Sequence, residues 1–162
     1  MIFQKEDGVI CLTDYDNTLV FPLLVEEIEM LRDDKNYFEN YINLKYMADE
    51  FLPGTPIEEQ YKLYKETKSN LPWLAIWVIV SAKDKTIVGT LDFKALPDEN
   101  GEIEIGYYVS PSFRCRGFAT TAVKLICDWA FENGAKKVLT NNDFDLKDCN
   151  NNLLIFEKSA QE

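Results

Sequence analysis

Apolar positions along this chain recur with two different periods, and the change from one to the other divides it. After a short apolar run at residues 9–13, Leu19, Leu23, Leu24, Ile28 and Leu31 fall on one face of a helical wheel, which predicts a helix over residues 18–32. A second helical stretch is expected at 35–44. A third has an explicit start: Thr55 is placed as N-cap, Pro56 takes the first helical position, and Glu58 completes a T-x-x-E capping box. It runs to about residue 70, and Pro72 breaks the pattern. From Trp73 the period shortens to two. WLAIWVIV, TIVGTLDF and EIEIGYYV read as three strands, joined by a turn at Lys83-Asp84-Lys85 and a Pro-Asp-Glu-Asn-Gly loop, hence an antiparallel meander. Pro111 ends the third strand. Ala119, Ala122, Val123, Ile126 and Ala130 then share one face of a helix over 119–133, with Gly134 as its C′ stop. A strand at 137–140, a polar loop at 141–148 and an amphipathic helix at 150–158 carrying Leu153, Leu154, Ile155 and Phe156 complete the expectation. The fold class is α+β with a largely antiparallel central sheet.

Length and composition narrow this picture. The 162 residues fit a single domain spanning 1–162, and no apolar run approaches the roughly 18 residues of a spanning helix, so neither a membrane nor a second domain is expected. A net charge of −11 disfavours nucleic acid and anionic lipid as partners, because phosphate backbones select basic faces. The sequence has no histidine, which removes a His-based triad, a His general base and most catalytic zinc arrangements; no metal is expected. Cys11, Cys115, Cys127 and Cys149 form no C-x-x-C pair and suit free thiols in a reducing compartment. The first residues lack the basic-then-apolar plan of a secretory signal, so the cytoplasm is the expected location.

None of the 28 acids falls within residues 105–127, where Arg114, Arg116 and Lys124 lie. In an acidic protein this marks an anion site. A strand ends at Val109, a short loop carries Arg114-Cys115-Arg116-Gly117-Phe118-Ala119, and a helix follows. Amides at a helix N-terminus, backed by the positive end of its dipole, suit phosphate oxygens. Gly117 and Ala119 permit close approach, and Thr120 and Thr121 add hydroxyls. Taken singly, a loop glycine beside solvated arginines would leave the same trace.

The whole string is more specific than its parts. It is neither a Walker A loop nor the three-glycine dinucleotide pattern. Arg114-x-x-Gly117-x-Ala119, preceded by Glu-Ile-Gly-Tyr-Tyr-Val and Ser-Pro, resembles the Arg/Gln-x-x-Gly-x-Gly/Ala signature of the GNAT acetyltransferases. Leu71-Pro72-Trp73, Ile87-Val88-Gly89, Glu104-Ile105-Gly106-Tyr107 and Cys127-Asp128-Trp129-Ala130-Phe131 extend the resemblance over roughly residues 8–140, towards the branch containing the ribosomal-protein N-terminal acetyltransferases. The resemblance implies an acyl-CoA N-acyltransferase fold, a three-layer α/β/α arrangement around the sheet. It implies acetyl-CoA as co-substrate, with the pyrophosphate on the backbone of Arg114, Cys115, Arg116, Gly117, Phe118, Ala119 and Thr120. The pantetheine arm would lie against the main chain of Tyr108 and Val109. The implied reaction is acetyl transfer to a primary amine of a small molecule or a protein N-terminus, with Glu104 as a base acting through water. Independently of any resemblance, Glu102 and Glu104 sit two apart on one strand and therefore share a face; as a bare pattern they read equally well as solvent-facing charges.

The C-terminal part departs from the family plan. Aligned on Glu157-Lys158, Cys149 takes the usual Asn position, Asn152 the Ser position and Phe156 that of a Tyr that would protonate the leaving thiolate. Asn152 stays a candidate amide donor to pantetheine. With no Gly-Phe and no further strands after residue 158, the fold is expected to be C-terminally shortened, exposing the edge of the fifth core strand to cover by a second copy in a homodimer. The alternative to an enzyme is a shortened CoA-binding protein without catalysis, acting through dimerisation. The acids Asp33, Asp34, Glu39, Asp49, Glu50, Glu58 and Glu59 are compatible with a cationic amine acceptor and equally with a solvated face.

Overall fold

The longest apolar runs build the centre of a curved sheet whose strands follow the order β1-β2-β4-β5-β6-β7-β8. The structure is a computed structural model and describes residues 10–47, 62, 66–67, 72–140 and the backbone of 155–157. Its strands are β1 (Leu12–Thr13), β2 (Thr18–Pro22), β3 (Lys45–Tyr46), β4 (Ile76–Ser81), β5 (Thr86–Phe93), β6 (Glu102–Val109), β7 (Lys137–Thr140) and β8 (Ile155–Glu157). The helices α1 (Val25–Asp33) and α2 (Lys35–Ile42) precede the central strands, and α3 (Phe118–Glu132) follows β6. Lys62, Glu66 and Thr67 are helical, while the expected Thr55-Pro56-Glu58 cap lies outside the described residues. Among the described residues, no helix is long and apolar enough to cross a membrane.

The expected meander is present: β4 pairs with β5 and β5 with β6, both antiparallel. Only two pairings among the described strands are parallel, β6 with β7 and the short β3 with the start of β5. Gly89 is required where two strands close tightly, because a Cβ there would run into the Tyr108 carbonyl oxygen.

Three expectations are corrected. Residues 18–32 do not form one helix: Thr18–Pro22 is a strand antiparallel to β4, and the helix begins only at Val25. All five strand residues are buried, so Thr-Leu-Val-Phe-Pro is a two-faced strand whose apolar run happened to continue the helical spacing of the residues after it. Pro22 has no N–H to donate, and the helix that follows is anchored by Glu27, whose buried carboxylate accepts the Leu24 amide at 2.8 Å. At the other end, Ile155–Glu157 is not helix but a strand antiparallel to β7, with Val138 opposite Phe156. A contiguous Leu-Leu-Ile-Phe run does not distinguish the two periods, and the open ladder of β7 supplies hydrogen-bond partners that an isolated short helix lacks. The edge expected to seek a second chain is thus paired within this one. Finally, the cysteines are not all free thiols. Cys11 and Cys127 are free, whereas Cys115 is disulfide-bonded to a residue outside the described ones. Spacing along a sequence carries no information about such long-range pairing.

The core lies between the sheet and α3. Trp129 of α3 meets Trp73, Trp77 and Phe93, with ring centroids 4.7, 5.1 and 5.8 Å away. Such ring pairs contribute about 0.5–1.5 kcal/mol each beyond area burial. Gly134, at φ +108, ends α3 as expected, and the Ala135 amide returns to the Ala130 carbonyl at 3.0 Å.

Candidate active site

β6 carries the site, and its side chains alternate as the sequence predicts. Ile103, Ile105, Tyr107 and Val109 are buried on the α3 side. Glu102, Glu104, Gly106 and Tyr108 occupy the other face, with Glu104 exposed. The two glutamates therefore do share a face.

The main chain alternates as well. The Lys94 amide donates to the Glu104 carbonyl at 2.8 Å and the Ser110 amide to the Val88 carbonyl at 2.8 Å, so the even-numbered residues of β6 turn their polar backbone groups towards β5. Tyr107 and Val109 turn theirs to the opposite side, where β7 runs. The β7 ladder is described over Glu102 to Ile105, with Ile105 opposite Thr140. From there β6 leads through residues 106–109 to the loop that precedes α3.

In that loop Gly117 has φ +87, a conformation that favours glycine, and a Cβ there would meet nothing within 4 Å among the described residues. The first bond of α3 joins the Thr121 amide to the Gly117 carbonyl at 3.0 Å, and among the described residues no side chain caps the helix. The amides of Phe118, Ala119 and Thr120 therefore precede the intrahelical ladder. A helix N-terminus of this kind suits an anion such as a pyrophosphate.

The arginines are arranged in a way that the sequence did not show. Arg114 Nε donates to the Val109 carbonyl at 2.8 Å, and its guanidinium lies 5.1 Å from the centre of the Tyr108 ring. Arg116 rests on Phe113 and Phe118 and pairs with Asp84 of the β4–β5 hairpin at 3.7 Å. The window without acids in sequence therefore has one beside it in space. Cys115, at φ +60, is exposed between the two arginines. Asn152 lies outside the described residues.

Two further charged groups join the face of Glu104. Asp92, opposite Gly106, is mostly buried, with 16% of its side chain exposed. Lys94, opposite Glu104, pairs with it at 3.7 Å. Their positions two apart on β5 were visible in sequence, but their approach to Gly106 depends on register. Opposite Ile105, the Thr140 hydroxyl is buried without a hydrogen-bond partner among the described residues.

Comparison with known proteins agrees with this arrangement. Residues 41–148 match the model of the acetyltransferase (GNAT) family. A segment of 54 residues, 33% of this chain, is 41% identical to an uncharacterised N-acetyltransferase, YjdG, of Bacillus subtilis, and covers 32% of that protein's length. Among solved structures, the acetyltransferase that modifies the N-terminal serine of ribosomal protein L7/L12 in Salmonella typhimurium superposes with TM-score 0.52 at 15% identity, over 81% of this chain and 74% of its own. The ribosomal-protein-S5-alanine acetyltransferase of Vibrio fischeri gives TM-score 0.52 at 15% identity, over 81% and 73%. At such identities these two speak for a shared fold. The family match spans more than half of the chain and includes the loop before α3: the protein belongs to the acetyltransferase (GNAT) family.

Proposed function

We propose that the chain transfers an acetyl group from acetyl-CoA to the primary amine of a small molecule or of a protein N-terminus. The observation that carries this reading is the start of α3 at Phe118, directly behind the left-handed Gly117 in the loop that follows β6. The amides of Arg116, Gly117, Phe118, Ala119 and Thr120 hold the pyrophosphate, with the α3 dipole behind them. Pantetheine lies against the end of β6 at Tyr108 and Val109, where the Arg114 guanidinium stacks on the Tyr108 ring. Asn152 keeps its place as a candidate donor from the C-terminal segment. Acetyl-CoA supplies an activated acyl carbon. The chain positions it, holds the amine and removes a proton. Glu104, exposed on the face of Gly106, is the group for that last step through a water molecule. The two solved relatives are named for acting on N-terminal serine and alanine, which supports a peptide α-amine as one acceptor class.

Titration of CoA by calorimetry, followed by thiol release from acetyl-CoA over a panel of amines and N-terminal peptides, tests the reading. Gly117→Glu, which puts a carboxylate over the loop, is expected to weaken CoA binding at least about a hundredfold while far-UV ellipticity is retained. Undiminished affinity in that variant would refute the site. CoA binding without turnover on any amine would instead identify a binding protein.

A further inference from the structure

The face of β5 and β6 that carries Glu104 already holds a primary ammonium. The Lys94 side chain leaves its own strand and reaches over β6, where its Nζ stands 2.7 Å, and its Cε 3.0 Å, from where a Cβ of Gly106 would be. Asp92 Oδ1 lies 3.1 Å from the same point, and Asp92 Oδ2 faces the Lys94 Nζ at 3.7 Å. The missing side chain of Gly106 makes room for a cation, and the carboxylate opposite it on β5 sets the sign. The two partners differ in freedom. Asp92 has 16% of its side chain exposed, whereas Lys94 has 50% and can turn out into solvent. An exposed ion pair is weak, but a mostly buried carboxylate left without a cation is strongly disfavoured. Exchange of one ammonium for another at Asp92 therefore costs little.

We propose that Asp92 binds the ammonium of the acceptor over Gly106, and that Lys94 holds the same place as a built-in competitor. The proposal rests on the acetyltransferase reading above, which puts pantetheine at Tyr108 and the proton acceptor at Glu104. Glu104, Gly106 and Tyr108 follow at every second residue on one face of β6, about 7 Å apart. An amine that gives a proton towards Glu104 and attacks a thioester brought in past Tyr108 must stand between them, and the space between them is the one over Gly106. The acceptor enters as an ammonium, displaces the Lys94 Nζ and takes over its carboxylate. Lys94 turns out to solvent, so one cation replaces another and Asp92 stays neutralised throughout. The arrangement sets a threshold: an amine that binds too weakly to displace a tethered lysine does not reach the thioester.

The test is steady-state kinetics of thiol release from acetyl-CoA by the full chain, with n-butylamine, or the panel peptide that turns over faster, as acceptor. Lys94→Gln removes the competing charge and is expected to lower the acceptor KM about threefold and to raise kcat/KM in proportion. Asp92→Asn removes the binding charge and is expected to raise the acceptor KM at least about tenfold, with the KM for acetyl-CoA unmoved in both variants. In the Asp92→Asn chain, Lys94→Gln should no longer lower the acceptor KM, because competition needs the shared carboxylate. The opposite signs are the discriminating readout, since loss of either partner of a merely structural ion pair would move the KM in the same direction. An acceptor KM that rises or stays level in Lys94→Gln would overturn the competitor, and this half-exposed position is read independently of how Asp92→Asn folds. An unmoved acceptor KM in Asp92→Asn would overturn the subsite while leaving the acetyltransferase reading in place. Absence of thiol release by the unaltered chain on every amine of the panel would overturn that reading and this proposal together.

Discussion

The two halves of β6 have the same side-chain pattern and different neighbours. Residues 102–105 lie between β5 and β7, whereas residues 106–109 pair with β5 and lead into the loop before α3. In both halves buried and accessible side chains alternate. Alternation reports which face of a strand is covered and says nothing of what adjoins its ends, because side chains stand perpendicular to the strand plane. What separates the halves is the nearness of the second to Gly117 and the start of α3.

Substitutions on the two sides of the divide should separate stability from chemistry. The largest effect on folding is expected from Ile105→Ala. Its side chain is 1% exposed on the part of β6 that lies between β5 and β7, and truncation should cost about 2–5 kcal/mol in urea unfolding while the folded fraction keeps its CoA affinity. A parallel loss of affinity would show that the two halves are not separable. Glu104→Gln should do the reverse. Removal of a general base is expected to lower kcat roughly a hundredfold in the thiol-release assay, with little change in urea midpoint, since the side chain is exposed. On β7, opposite Ile105, Thr140→Val replaces a buried hydroxyl by a methyl of similar shape. Because that hydroxyl has no partner among the described residues, stability should hold or rise by up to about 1 kcal/mol. A clear loss would reveal a partner for it.

The smallest effect lies away from β6 and serves as a control. At Asp14 burial pushes the carboxyl pKa up, but the amides of Thr18, Asp16 and Asn17, all within 3.1 Å of Oδ1, outweigh it, and the pKa is held below its ordinary value. The stabilisation is present in full above the unfolded pKa of about 3.9 and is lost as the pH falls through the lower folded one. Asp14→Ala should therefore lower the urea midpoint slightly at pH 7 and converge with the unaltered chain once the pH has fallen below the folded pKa of Asp14, with no effect on CoA binding.

What was legible in the sequence follows from the same distinction. The meander, α3, its Gly134 stop and the loop at Gly117 depend on local patterns, and all were read where the structure has them. Thr18–Pro22 was misread because a strand buried on both faces has no period of its own. Ile155–Glu157 was misread because the ladder of β7, which gives it its form, is more than a dozen residues away. The same limit hid the Asp84 partner of Arg116 and the approach of Lys94 to Gly106: both depend on strand register, which residue type does not encode. Glu104 and Gly117 could be singled out because their neighbours in sequence are also their neighbours in space.

The Arg114 bond to the Val109 carbonyl ties the loop before α3 to the end of β6. A charge-assisted bond of this kind holds two segments at a fixed spacing more firmly than a neutral one. A ligand that touches both segments therefore meets a frame already set, and its binding does not have to supply the entropy of ordering the loop. Arg114 thus acts as a brace as well as a cation.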